Sequence, residues 1–159
     1  MKENNIYNTP VEIALRLLMI IVKNKKEIDI DKLIIVDYLS LHGSLVNDEL
    51  ISIHPDNPFH GLEVYSKINV VKQGIELLIS KGLIDVKFNC RGIEYTSNAI
   101  SEYFLSYFDS EYYLELEKNI EVVTKIFKNY SSDDIRRYLY DNIELWNSSS
   151  VSDYLDREK

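Results

Sequence analysis

Cysteine, proline and glycine are all scarce in this chain. It has one Cys, three Pro and five Gly in 159 residues. A single Cys90 excludes an internal disulfide framework, and its expected place at a hairpin tip fits a reducing, cytoplasmic compartment. The shortage of Pro and Gly excludes a collagen-like or low-complexity chain and fits a mainly helical globular protein. Long hydrophobic runs are missing too. The longest, Leu17 to Val22, falls far short of the roughly 20 residues needed to cross a bilayer, so no membrane association is expected. Met1-Lys2-Glu3-Asn4-Asn5 has no apolar segment of the kind a secretion signal needs. Positive charge is short as well: 18 Lys and Arg stand against 26 Asp and Glu, a net charge of −8, with most of the acidic excess beyond position 100. Proteins that grip DNA unaided neutralise phosphates with a basic face, so this balance argues against tight binding to duplex DNA by the chain alone.

What is present centres on Leu62–Thr96. Val64, Ile68, Val71, Ile75 and Leu78 recur at steps of four and three, which predicts one continuous amphipathic helix across this stretch. Lys81 and Gly82 end it, Gly82 being free to take the left-handed conformation. Ile84, Val86 and Phe88 then alternate with Asp85 and Lys87. After the turn Asn89-Cys90-Arg91-Gly92, the segment Ile93–Thr96 completes a two-stranded hairpin with one apolar face. A helix running into such a hairpin reads as the second half of a winged helix-turn-helix. Gly74, inside the helix, costs about 1 kcal/mol against alanine, which close approach of another helix would offset.

Upstream, Thr9-Pro10-Val11-Glu12 forms a capping box for a helix to about Lys23 that is apolar nearly all round, with Glu12 and Arg16 pairing on its wet strip. Asp29 or Asp31 caps a second helix, Lys32 to His42, with Asp37 and Ser40 on its polar side. About twenty positions separate Gly43 from Leu62, whereas a helix-turn-helix uses three or four. Loops of that length tend to be functional. This one ends in His54-Pro55-Asp56-Asn57-Pro58-Phe59-His60, stiffened by its prolines and carrying an apolar anchor in Phe59. These seven residues are expected to form a preformed contact surface for another protein. His54, Asp56 and His60 could be drawn as a metal triad, but no fourth ligand is evident, so neither metal nor cofactor is expected. No Gly-rich phosphate loop or activated nucleophile appears, so no catalysis is expected.

Downstream, Ser97 caps an aromatic helix and Ser110 opens a longer one with Tyr113, Leu116, Ile120, Val123 and Phe127 along its seam. A third carries Ile135, Leu139, Ile143 and Trp146. The expected class is therefore mainly α (α+β): a winged helix-turn-helix core with a two-stranded wing and an elaborated inter-helix loop. The expected divisions are a winged-helix domain over 8–96, a helical extension packed on it over 97–146, and a flexible tail over 147–159.

The runs NTPVEIALRLLMII, VDYLSLHG, SIHPDNPFHGLEV, VKQGIELLISKGLIDV and GIEYTSNAI resemble the type-two middle component of bacterial ABC-three-component systems, in the same order and across roughly Asn8 to Trp146. The resemblance implies a winged-helix subunit acting with an ABC or SMC-like ATPase and an effector, in defence against phage or plasmids. It implies a bridging or regulating role in a homodimer or hetero-complex, with nucleic acid contacted only inside that complex. The competing reading is a dimeric winged-helix transcriptional regulator. There Ser66, Lys67, Asn69 and Gln73 would reach bases while Lys87 and Arg91 touch phosphate.

Overall fold

The computed structural model describes residues 9–55 and 59–157, and side-chain surroundings as far as position 147. Asp56, Asn57 and Pro58 lie outside the described residues.

Helix α1 (Pro10–Asn24) starts where Thr9 Oγ1 accepts from the amide of Glu12 at 3.3 Å, with Pro10 at the first helical position. It stops at Lys25, which takes a left-handed conformation. Helix α2 (Ile30–Leu41) is capped by Asp29, whose Oδ1 accepts from the amide of Lys32 at 2.9 Å. Every residue from Leu33 to Leu41 is buried, because α1, α6 and α7 all pack against α2. That corrects two expectations. Asp37 and Ser40 are interior residues, and Arg16 is buried beside Asp37 instead of lying on a wet strip. Ser40 satisfies its hydroxyl by donating to Val36 O, and Asn119 donates to the Ser40 carbonyl.

The helix expected across 62–81 is broken. Helix α3 (His60–Ser66) ends at Lys67, and α4 (Ile68–Ser80) begins one residue later. Val71, Ile75 and Leu78 carry the apolar stripe of α4 into the core, and Gly74 sits where it meets α1. A Cβ at Gly74 would stand 3.2 Å from the backbone nitrogen of Ala14 and 3.3 Å from Leu17 Cδ1, so the missing side chain lets the two helices close. Gly82, at φ 67°, ends the helix by donating to Ile79 O, as its sequence position predicts.

Strands β1 (Ile84–Asn89) and β2 (Gly92–Ser97) pair antiparallel from Ile84↔Ser97 to Asn89↔Gly92. The apolar face of this hairpin does not stay covered. Ile84 and Tyr95 are buried, whereas the cross-strand pair Phe88 and Ile93 faces solvent, because the distal half projects past the core. One further residue joins the sheet: Ile28 exchanges two backbone bonds with Tyr95, at 3.0 and 2.9 Å.

Helix α5 (Ala99–Leu105) is capped by Asn98, one residue after the Ser97 expected, in a capping box with Ser101. Helix α6 (Glu111–Ile126) begins at the Ser110 cap and buries Leu116, Ile120 and Val123, with Phe127 just beyond. Lys32 Nζ reaches across to donate to the carbonyls of Phe127 and Tyr130, closing the C-terminal end of α6. Helix α7 (Ser132–Arg157) starts where Ser132 is hydrogen-bonded to Asp29 Oδ2, so one carboxylate caps α2 and anchors α7. The backbone continues as helix through 147–157, where a polar tail was expected. The chain is thus mainly helical with one two-stranded antiparallel sheet, and a single apolar cluster runs from Ile13 to Trp146.

Candidate functional site

Helix α3 is built the wrong way round for a surface helix. Phe59, Leu62 and Tyr65 recur every three residues and stand 62%, 73% and 60% exposed. Its inward side carries Val64, but also His60 and the half-buried Glu63. What holds the helix down is therefore largely polar.

His60 is fully buried. The Tyr38 hydroxyl is hydrogen-bonded to its Nδ1, and its ring meets those of His42 and Trp146 edge-on at 5.7 and 6.3 Å. The His60 amide donates to Asn147 Oδ1 at 3.0 Å, tying the first turn of α3 to α7. One turn on, Glu63 Oε1 lies 3.6 Å from His42 Nε2 and 3.1 Å from Lys67 Nζ. Burial raises the Glu63 carboxyl, but the His42 contact and the Lys67 charge outweigh it and hold the group down at about 2. His54 is pushed down to about 4, first by burial and then by the positive charge of Arg16 and Lys67.

Beneath this layer, Arg16 and Asp37 form a bidentate pair at 2.7 and 2.9 Å, both side chains almost wholly buried. Burial opposes the charge on Arg16, but the adjoining carboxylate raises its pKa above the ordinary value. Glu12 accepts from Arg16 at 3.5 Å and from the Tyr112 hydroxyl at 3.2 Å. Burial raises the Glu12 carboxyl and, with the Glu12 charge, pushes Tyr112 up to about 12. Charged groups from α1, α2 and α3 therefore share one polar seam, with His54 of the preceding loop half-buried beside it.

Among the described members of the seven-residue contact surface, Pro55 and Phe59 face solvent, His54 is half-buried and His60 is interior. His60 points inward because Tyr38, His42 and Trp146 enclose it, so the exposed members among the described residues, Pro55 and Phe59, are apolar. Trp146, on the apolar stripe expected for the third C-terminal helix, is buried in the same place. The residues named for nucleic acid are differently disposed. Asn69 and Gln73 face solvent, but the cations are engaged by carboxylates: Lys67 by Glu63 at 3.1 Å, Lys87 by Glu27 at 2.5 Å and Arg91 by Glu94 at 3.6 Å. Among the described residues no group of His, Cys, Asp or Glu has the arrangement of a metal site. Nor is any helix long and apolar enough to cross a membrane. Cys90 is exposed at the hairpin tip.

Compared with known families, residues 6–149 match the model described as ABC-three component (ABC-3C) system Middle Component 2. The chain belongs to this family. No curated protein and no solved structure matches it. Within this middle component, α3 is the feature that periodicity concealed. Val64 sits in step with the α4 stripe, and that continuity masks a second set, Phe59, Leu62 and Tyr65, on the opposite side. The readable signal was His60 and Glu63 flanking Leu62: two polar groups at inward positions beside an outward leucine.

Proposed function

We propose that this chain is the non-catalytic subunit that bridges or regulates an ABC or SMC-like ATPase and an effector in a bacterial anti-phage or anti-plasmid system. Membership of the middle-component family supports a role within a multi-component assembly. The observation that carries the docking reading is the outward apolar row Phe59, Leu62, Tyr65 on a helix seated through His60 and Glu63. Large apolar and aromatic side chains on a rigid helix are the anchors that helix-in-groove interfaces use. The succession α1, Ile28, α2, α4 and the β1–β2 hairpin supports a winged-helix reading of the scaffold, with Ile28 as a rudimentary third strand. The acidic balance and the carboxylate-bound Lys67, Lys87 and Arg91 favour polypeptide over DNA as the direct ligand. Cytoplasmic placement, with a homodimer or hetero-complex as the working form, fits an exposed, unpaired Cys90.

The test is co-expression with the neighbouring open reading frames and purification through this subunit. A large ATPase should come with the wild-type chain, and Leu62→Asp or Phe59→Ala should cut its recovery at least tenfold with the helical circular dichroism unchanged. Recovery of the chain alone, still holding duplex DNA at physiological ionic strength, would overturn the proposal in favour of a transcriptional regulator.

A further inference from the structure

The sheet has an unfinished edge. Tyr95 of β2 exchanges both of its main-chain bonds with Ile28, so its N–H and C=O point away from β1. Main-chain groups alternate in direction along an antiparallel strand, so those of Ile93, two residues earlier, point the same way. An antiparallel neighbour running past Ile28 would reach Ile93 two residues later, at Ile30. The chain never gets there, because Asp29 caps α2 and Ile30 is already helical. Among the described residues, nothing bonds to the main chain of Ile93.

A groove of about 1150 Å³ runs along this edge, between β2, the flank of α4 and the α6–α7 corner. Its apolar floor includes Ile79 and Ile93, which are 41% and 49% exposed. Most of the charges lining it are already matched: Glu27 with Lys87, Glu94 with Arg91, and Asp31 and Asp133 with Arg136. Lys32 is spent on the carbonyls closing α6, and Asp29 on its two hydrogen bonds. Among the described lining residues, Lys26, Lys72 and Lys128 remain without an ion pair, against Glu76 alone. The lining as a whole balances six cations against six carboxylates, with Asp31 and Asp133 sharing the single Arg136, so the cationic character beside the open edge is confined to these three unpaired lysines.

We propose that the open edge of β2 at Ile93 receives an extended, acidic segment of a partner polypeptide, which adds to the sheet as a further strand along this groove. Main-chain bonds to Ile93 would supply register, and Lys26, Lys72 and Lys128 would select acidic side chains over basic ones. The outward main chain of β2 favours a polypeptide over a nucleic-acid strand, whose backbone offers no donors to complete a ladder. This proposal rests on reading the chain as an interaction subunit, but uses a surface separate from α3.

The test uses the full chain and a fluorescein-labelled decapeptide of alternating Val and Glu. An alternating Val and Lys decapeptide and a short single-stranded DNA serve as comparisons. Polarisation should show the Val–Glu peptide binding at least tenfold more tightly than the Val–Lys peptide, with amide exchange at Ile93 slowed about tenfold. Ile93→Pro removes the outward N–H without touching a β1–β2 bond and should abolish binding. Lys72→Glu with Lys128→Glu, which leaves the hairpin alone, should weaken it about tenfold and keeps the test valid if the proline variant does not fold. Four results overturn the proposal: no binding of the Val–Glu peptide, equal binding of the Val–Lys peptide, protection of Ile93 by DNA instead, or a chain-only dimer that Ile93→Pro dissolves. If the peptide fails while Leu62-dependent capture of the ATPase persists, the strand edge falls and the subunit role stands.

Discussion

Helices α3 and α4 are separated by a single residue, Lys67, and present opposite characters to the same core. Helix α4 follows the ordinary rule, with Val71, Ile75 and Leu78 inward and Asn69, Lys72, Gln73 and Glu76 in water. Helix α3 puts His60 and Glu63 toward the interior and Phe59, Leu62 and Tyr65 outside. The first is held by removal of apolar surface from water, about 1.5–3 kcal/mol for each large side chain. The second is held largely by directional bonds and ion pairs, which are worth much less net but cost more to break singly. A helix seated in this way can leave Phe59, Leu62 and Tyr65 largely exposed, and the proposed docking role draws on that exposure.

The contrast can be broken most forcefully at Asp37. Asp37→Ala leaves Arg16 buried without its bidentate partner and should cost about 3–5 kcal/mol in urea unfolding at neutral pH. A loss below about 1 kcal/mol would mean that the polar seam does not support the fold. Ile75→Ala tests the other side of the comparison. It opens a cavity under α4 and should cost about 2–4 kcal/mol, whatever the pH.

Acid separates the two attachments more finely. His54 has an ordinary pKa of 6.5 and is held at about 4 in the fold, while Glu63 moves from 4.5 to about 2. Each therefore binds fewer protons folded than unfolded within its window, and stability falls as pH drops. The His54 contribution is fully present above pH 6.5 and is lost on the way down to 4; that of Glu63 goes between 4.5 and 2. Because the imidazole is only half-buried, solvent screens part of this linkage, and a loss on the order of 2 kcal/mol is expected across the upper window. His54→Gln should flatten the slope there, and a slope unchanged in that variant would remove His54 from the explanation. The smallest effect belongs to Leu62→Asp, which should change stability by no more than about 0.5 kcal/mol because the side chain contacts mainly water. A large destabilisation would mean that the outward row of α3 is structural after all.

Much of the local structure was legible residue by residue. Thr9 and Pro10 open α1, Asp29 caps α2, Ser110 opens α6, and Gly82 ends α4, as their chemistry dictates. The hairpin register follows from alternation and a turn at Asn89–Gly92. Gly74 was readable as a contact with another helix, although not with which one; the structure supplies α1. The break at Lys67 was not readable, since Val64, Ile68 and Val71 keep helical spacing straight across it. Neither was the fate of the loop histidines. Whether His60 faces a partner or the interior depends on Tyr38, His42 and Trp146, which lie far from it in the chain.

By itself, the order of residues determined the helical class, the caps, the hairpin, the charge deficit that disfavours lone DNA binding, and the family to which the runs belong. Only the tertiary structure decided that Arg16 meets Asp37, that Lys32 closes α6, that α3 turns its apolar side outward and that β2 keeps an open edge at Ile93. The division has a physical cause. Caps and turns satisfy backbone groups within a few residues of themselves, whereas a buried charge or an exposed leucine is defined by side chains that arrive from distant parts of the chain.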